Sequence, residues 1–190
     1  MLYLLCTCWF LQPFEAMAQN PDKFKVGIKA SVLYSSPVTT KSIPSQVTLG
    51  GYDPRTGYDV SVFVQKKCWK SLELLGQVGH SLQGRTWEGA DYRHFLAYAE
   101  IGANLKLFKP VHLEAGLRGG GVIATNDPFE DRMKKGDFGY RLGLNFRLAP
   151  RIGLHFDYLR SLTPFMKTTL PSGDFSVYRR NFGAGLSYIF

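Results

Sequence analysis

Charged residues of both signs recur on the polar side of an alternating apolar/polar pattern: Lys25, Lys29, Asp59, Glu73, Glu100, Lys106, Glu114, Arg118, Arg141, Arg147 and Asp157. A carboxylate or guanidinium taken out of water loses several kcal/mol unless an opposite charge meets it. The first chemistry open to these groups is therefore ion pairing, and spacing indicates which of them meet. A hairpin that pairs Leu107 with Val111 sets Glu100 opposite Arg118. One that pairs Arg147 with Arg151 sets Arg141 opposite Asp157. Lys25, Lys106 and Asp59 lie near the ends of their segments, where a wet rim would accommodate them equally well.

Reactive constellations are sparse. His155 and Asp157 share a face two residues apart and could relay a proton, but an internal hydrogen-bonded pair is the commoner use of that spacing. His80 and Ser81 set a base beside a nucleophile, yet adjacent residues of a strand point to opposite faces, which separates them. The run Gly116-Leu-Arg-Gly119-Gly120-Gly121 lacks the Gly-Lys-Ser/Thr ending of a phosphate-binding loop and reads as a kink or close-packing point in a strand. Cys6 and Cys8 fall in an N-terminal apolar run, which leaves Cys68 without an internal disulfide partner or a zinc-site spacing. No catalytic set, cofactor or metal is expected.

Eight alternating segments would have to position these charges. The first runs from Phe24 to Tyr34, with Phe24, Val26, Ile28, Ala30, Val32 and Tyr34 on one face. The second runs from Tyr58 to about Lys66; the third, about Lys70 to His80, is less regular because Leu74 and Leu75 are adjacent. The fourth, about His94 to Leu107, is alanine-rich, and the fifth runs from Val111 to Ile123. The sixth alternates most clearly, with Phe138, Tyr140, Leu142, Leu144, Phe146 and Leu148 against Gly139, Arg141, Gly143, Asn145 and Arg147. The seventh carries Ile152, Leu154, Phe156 and Tyr158, and the eighth Phe182, Ala184, Leu186, Tyr188 and Phe190. Period-two alternation marks strands with one apolar face, and about 9–11 residues suffice for a tilted strand to cross a bilayer.

Connections alternate as well. Short turns lie around Lys67-Cys68-Trp69, Phe108-Lys109-Pro110 and Ala149-Pro150, whereas Ser35–Gly57, Ser81–Arg93, Ala124–Gly136 and Ser161–Val177 are long. That rhythm is expected of an up-and-down barrel with turns on the periplasmic side and four loops outside. Basic loop residues Lys134, Lys135, Arg179 and Arg180 are candidates for contacts with lipopolysaccharide phosphates, with plain solvation as the competing reading.

The whole chain has 190 residues, enough for one domain. Its apolar run from Leu2 to Leu11, followed by Ala16-Met17-Ala18, reads as a signal peptide over residues 1–18, with the barrel domain over 19–190. A buried N-terminal helix is the alternative; Pro13 and the shortness of the run oppose it. Loss of Glu15 leaves 23 basic against 14 acidic residues, a formal +9. That charge coincides with no recognisable nucleic-acid module, so lipid phosphate is the better polyanion and no nucleic-acid partner is expected.

Alternation alone does not say which face is outside. An eight-stranded barrel has room inside only for side chains. The polar face holds Gly27, Gly116, Gly139, Gly143, Gly153, Gly183 and Gly185, and crowding favours placing it inside, with Phe, Tyr and Leu toward lipid. An exterior so apolar would aggregate in water.

The terminal Phe182-Gly-Ala-Gly-Leu-Ser-Tyr-Ile-Phe190 resembles the closing strand of a bacterial outer-membrane barrel, with Phe182, Leu186, Tyr188 and Phe190 as its insertion signature. With the signal peptide and eight segments, the chain resembles small OmpX- or OmpA-type barrels. Phe24-Lys-Val-Gly-Ile-Lys-Ala, Leu113-Glu-Ala-Gly-Leu and the C-terminal phrase are most similar to the PorT-like group. The fold class expected is all-β, an eight-stranded antiparallel transmembrane barrel. The resemblance implies residence in the bacterial outer membrane and insertion by the barrel assembly machinery. Lipid or lipopolysaccharide and other envelope or secretion proteins are the partners it implies. It carries over no catalytic set. The expected role is non-enzymatic, structural or adhesive or in secretion, with a plugged, salt-bridged lumen; the alternative is a lipid A-modifying enzyme, for which His80-Ser81 is the candidate pair.

Overall fold

The computed structural model describes residues 24–39, 53–87, 90–127, 134–170 and 173–190. The presumed signal peptide, and residues 40–52 and 128–133 of the long connections after the first and fifth segments, lie outside the described residues. Among the described residues, regular structure is entirely β: β1 (Phe24–Thr39), β2 (Asp53–Lys67), β3 (Leu72–Trp87), β4 (Ala90–Phe108), β5 (Val111–Thr125), β6 (Gly136–Arg147), β7 (Ile152–Ser161), β8 (Met166–Leu170) and β9 (Gly173–Ile189). Sequential strands pair antiparallel from β1 to β7, β7 pairs with β9, and β9 returns to β1, closing a barrel of eight staves. Among the described residues, closure leaves no stave with an unpaired edge, and the short β8 pairs only with the upper end of β9.

Alternation decides what faces where. Ile28, Val32, Val78, Ile101, Leu117, Leu142 and Leu186 stand on the outer surface, and Ile101 is 72% exposed. Lys29, Ser61, Gln77, Glu100, Glu114, Arg141 and His155 point inward and are buried. The adjacent leucines of β3 do not break this order, because Leu74 lies outside at 51% exposure and Leu75 inside at 3%. The interior is also less polar than the sequence pattern implies: Leu33, Phe63, Leu75, Leu96 and Leu159 fill it between the charges.

Several strand limits differ from the expected ones. β1 continues to Thr39 and β2 begins at Asp53, so both ends of the long connection expected over Ser35–Gly57 are strand, with Ser35 facing Arg55. β3 continues to Trp87 and β4 begins at Ala90, so most of the long loop expected over Ser81–Arg93 is ladder. In that stretch Ser81, Gln83 and His94 face in, and Thr86, Asp91 and Arg93 stand above the apolar band. Polar residues on both faces carry no hydropathy signal, although the backbone pairing persists. Likewise, the connection from Ser161 to Val177 contains β8. Where it begins, Phe165 and Met166 pack on Val177 of β9 as a small apolar cluster at the loop end of the barrel.

Candidate functional site

The four charges singled out by spacing meet in one network at the centre of the barrel. Arg141 on β6 is its hub. Its Nε donates to Glu100 Oε1 at 2.7 Å, and its Nη1 lies 2.9 Å from Glu114 Oε2 and 2.7 Å from Asp157 Oδ1. Arg118 on β5 donates through Nε to Glu100 Oε2 and through Nη1 to Asp59 Oδ2, both at 3.1 Å. Its guanidinium also lies over the Tyr98 ring, 3.6 Å from the centroid. The Tyr98 hydroxyl donates to Asp59 Oδ1 at 2.6 Å, Gln77 Nε2 donates to Glu100 at 2.9 Å, and Lys29 pairs with Glu114. Seven staves contribute: β1 to β7 supply Lys29, Asp59, Gln77, Glu100, Glu114, Arg141 and Asp157 in turn. Buried charges persist only when each is met by partners in this way.

Register explains the contacts. Glu100 faces Arg118 across β4 and β5, the alignment inferred from a Leu107–Val111 hairpin, although at the turn Phe108 rather than Leu107 pairs with Val111 and an irregularity after Lys106 absorbs the difference. The β6–β7 hairpin differs from expectation by two residues: Arg147 faces Gly153, Arg141 faces Leu159 and Asp157 faces Gly143. Backbone N–H groups of Leu148 and Ala149 both donate to Ile152 O, which lengthens the turn. Arg141 still reaches Asp157 diagonally, because Gly143 leaves the space between them free. A Cβ there would lie 2.5 Å from Asp157 Oδ1. Gly116 does the same for Glu100, whose Oε1 would sit 2.6 Å from an added Cβ. Inward glycines thus make room for ion pairs in a narrow lumen.

Other candidates fall elsewhere. Asp59 does not sit on a wet rim; it is 6% exposed and belongs to the network, because β2 extends well above it. Lys25 does lie toward the turn end, pairing with Glu73. His155 Nε2 lies 3.4 Å from Asp157 Oδ2 in the interior. His80 is on the outer surface, edge-on to Tyr58 at 5.8 Å between centroids, whereas Ser81 is buried inside and accepts from Gln83 Nε2 at 3.1 Å. The barrel wall separates that base from that nucleophile. The glycines 119–121 lie within β5, where a Cβ on Gly120 would meet Ala97 O at 2.4 Å, a close-packing point.

At the loop end, Lys134 and Lys135 are exposed, and Arg180 points outward, its Nη2 donating to Ser36 Oγ at 3.2 Å. Arg179, next to it, turns inward instead, because strand neighbours alternate. It is 7% exposed, lies 3.5 Å from Asp137 Oδ2 and stacks on Phe165 at 4.9 Å. Arg160 was not singled out by sequence, yet it faces Arg180 across the β7–β9 ladder. The signal was available in the parity of β7 but needed the register. Further along β9, Phe182, Leu186, Tyr188 and Phe190 all lie on the outer surface, and at the turn end Phe190 N donates to Val26 O at 3.0 Å.

No protein-family model matches the chain, and no curated protein matches it. Solved structures do. Neisserial surface protein A aligns with a TM-score of 0.51 at 14% identity, over 88% of this chain and 97% of that one. Ail of Yersinia pestis aligns at 0.48 and 14% identity, over 88% and 99%. The outer membrane protein AlkL aligns at 0.47 and 16% identity, over 88% and 90%. The chain has the fold of the small eight-stranded outer-membrane barrels.

Proposed function

We propose that this chain is a non-enzymatic integral protein of the bacterial outer membrane, exported by a cleaved signal peptide, with a plugged lumen and a role exercised through its loop-side surface. The observation that carries this reading is the buried network from Asp59 through Arg118, Glu100, Arg141 and Glu114 to Lys29. A water-filled pore would leave such groups hydrated, whereas Glu100, Glu114 and Arg141 are at most 2% exposed. The apolar outer band suits lipid, and the aromatic terminal strand suits recognition by the barrel assembly machinery. A scaffold of this kind fits a structural or adhesive element, or a partner in secretion as the PorT-like resemblance implies. Lys134, Lys135 and Arg180 would meet lipopolysaccharide phosphates in this reading, which their exposed or outward positions at the loop end support; Arg179 is withdrawn from that role by its inward orientation.

Reconstitution into liposomes tests the plug. Solute efflux and single-channel current equal to those of empty liposomes are expected, and sustained ionic conductance overturns the reading. Exchange of residues 40–52, between β1 and β2, should abolish function while heat-modifiable migration on gels is retained. The rival reading, a lipid A-modifying enzyme, predicts a mass change in lipid A when the folded protein is abundant. The separation of His80 from Ser81 by the barrel wall speaks against the one candidate pair.

A further inference from the structure

We propose that the turn-side mouth of the barrel is a binding site for a compact polyanion carrying two or more phosphoryl or carboxylate groups. This mouth opens into a cavity of about 390 Å³. Lys25, Lys67, Lys70, Lys106, Lys109 and Arg147 line it, and Glu73 is the one carboxylate among its lining residues. Glu73 is already engaged, pairing with Lys25 and accepting from Asn104 Nδ2 at 3.0 Å.

Separate parts of the fold deliver these cations. Lys25 comes from β1, Lys67 and Lys70 flank the β2–β3 turn, Lys106 and Lys109 flank the β4–β5 turn, and Arg147 ends β6. They converge around one concavity, where like charges repel and a low-dielectric wall concentrates their field. An entering anion relieves that repulsion. Ammonium groups supply point charges and the Arg147 fork can bind two oxygens at once, a donor set suited to phosphate or carboxylate.

Shape restricts the ligand. Inward from the cavity, His112 is buried and the next inward position on β5 is Glu114 of the central network, so the vestibule ends blind. A volume of this size is at the small end of the about 300–1,000 Å³ found for small-molecule sites. A single di- or tri-anionic molecule or lipid headgroup fits; a folded domain does not. The site is independent of the loop-side role proposed above.

The mature barrel in zwitterionic micelles, titrated with inorganic pyrophosphate at low salt and followed by amide NMR, tests this. Saturable shifts are expected at residues 67, 70, 106 and 147. Affinity should fall about tenfold in Lys106→Gln/Arg147→Gln and again in the separate pair Lys70→Gln/Lys109→Gln, the scale set by losing charges a few ångströms from the anion. Lys134→Gln/Lys135→Gln, at the loop end, should bind as the parent does. Heat-modifiable migration confirms that each variant folds. Shifts that do not saturate, binding unchanged in both mouth variants, or equal weakening by the loop-end variant overturns the proposal. Nanodiscs with and without phosphatidylglycerol separate the sources of the anion. Mouth amides shifted by anionic lipid and displaced by pyrophosphate support a headgroup, and mouth amides indifferent to lipid but responsive to pyrophosphate support a soluble ligand.

Discussion

Arg141 shows how much of this protein rests on one side chain. It is 1% exposed and contacts Glu100, Glu114 and Asp157. Arg141→Ala removes the cation common to these carboxylates, and a buried pair broken on one side costs about 3–5 kcal/mol. Urea unfolding in detergent micelles should show that loss. Arg180→Ala, at the outer surface, should fall within about 0.5 kcal/mol of the parent. Gly116 is the converse case, a residue valuable for the side chain it lacks. Gly116→Ala drives a methyl into the Glu100 carboxylate, and overpacking of this kind costs about 1–3 kcal/mol. The same substitution in a background carrying Glu100→Ala should cost less, because the obstructing carboxylate is gone; equal costs would show the glycine serves the backbone instead.

At the scale of the strand, the two faces answer to different solvents. Ile101 lies on the outer face of β4 within the apolar band, and Leu148 lies in the β6–β7 turn. In lipid, a lysine at mid-depth costs about 2–4 kcal/mol and near the interface about 0–1. Ile101→Lys should therefore reduce folding into vesicles far more than Leu148→Lys, as read by heat-modifiable migration after refolding. Equal tolerance would mean that the outer face of β4 is not bathed by hydrocarbon. The strands also differ in how clearly they announce themselves. β6 was legible because its lipid-side Phe, Tyr and Leu alternate with Gly, Arg and Asn. The upper halves of β3 and β4 were not, because both of their faces carry polar groups there.

At the scale of the whole molecule, the described residues form a barrel with Phe165 and Met166 packed on Val177 at the loop end, an ion-pair network inside and a concavity at the turn end. Its outer surface carries apolar residues such as Val32 at 60% and Ile101 at 72% exposure, more than a soluble monomer normally tolerates. Dilution of the purified mature chain below the critical micelle concentration should cause aggregation, seen as loss of the monomer peak in size exclusion. A monodisperse barrel in plain buffer would reverse the assignment of faces.

The sequence alone determined the architecture, because period-two alternation is a local property readable without partners. It also set Glu100 opposite Arg118, as the β4–β5 ladder does, although the pairing at the turn itself is shifted by an irregularity. Everything that joins non-adjacent staves needed the closed barrel. Lys29 meets Glu114 across the lumen, 85 positions away in the chain. Asp59 enters the network through Tyr98 and Arg118, and the six cations of the turn-side mouth come together only because curvature brings their separate strand ends around one opening. Parity tells a side chain which side of the wall to occupy. Closure alone tells it whom it meets there.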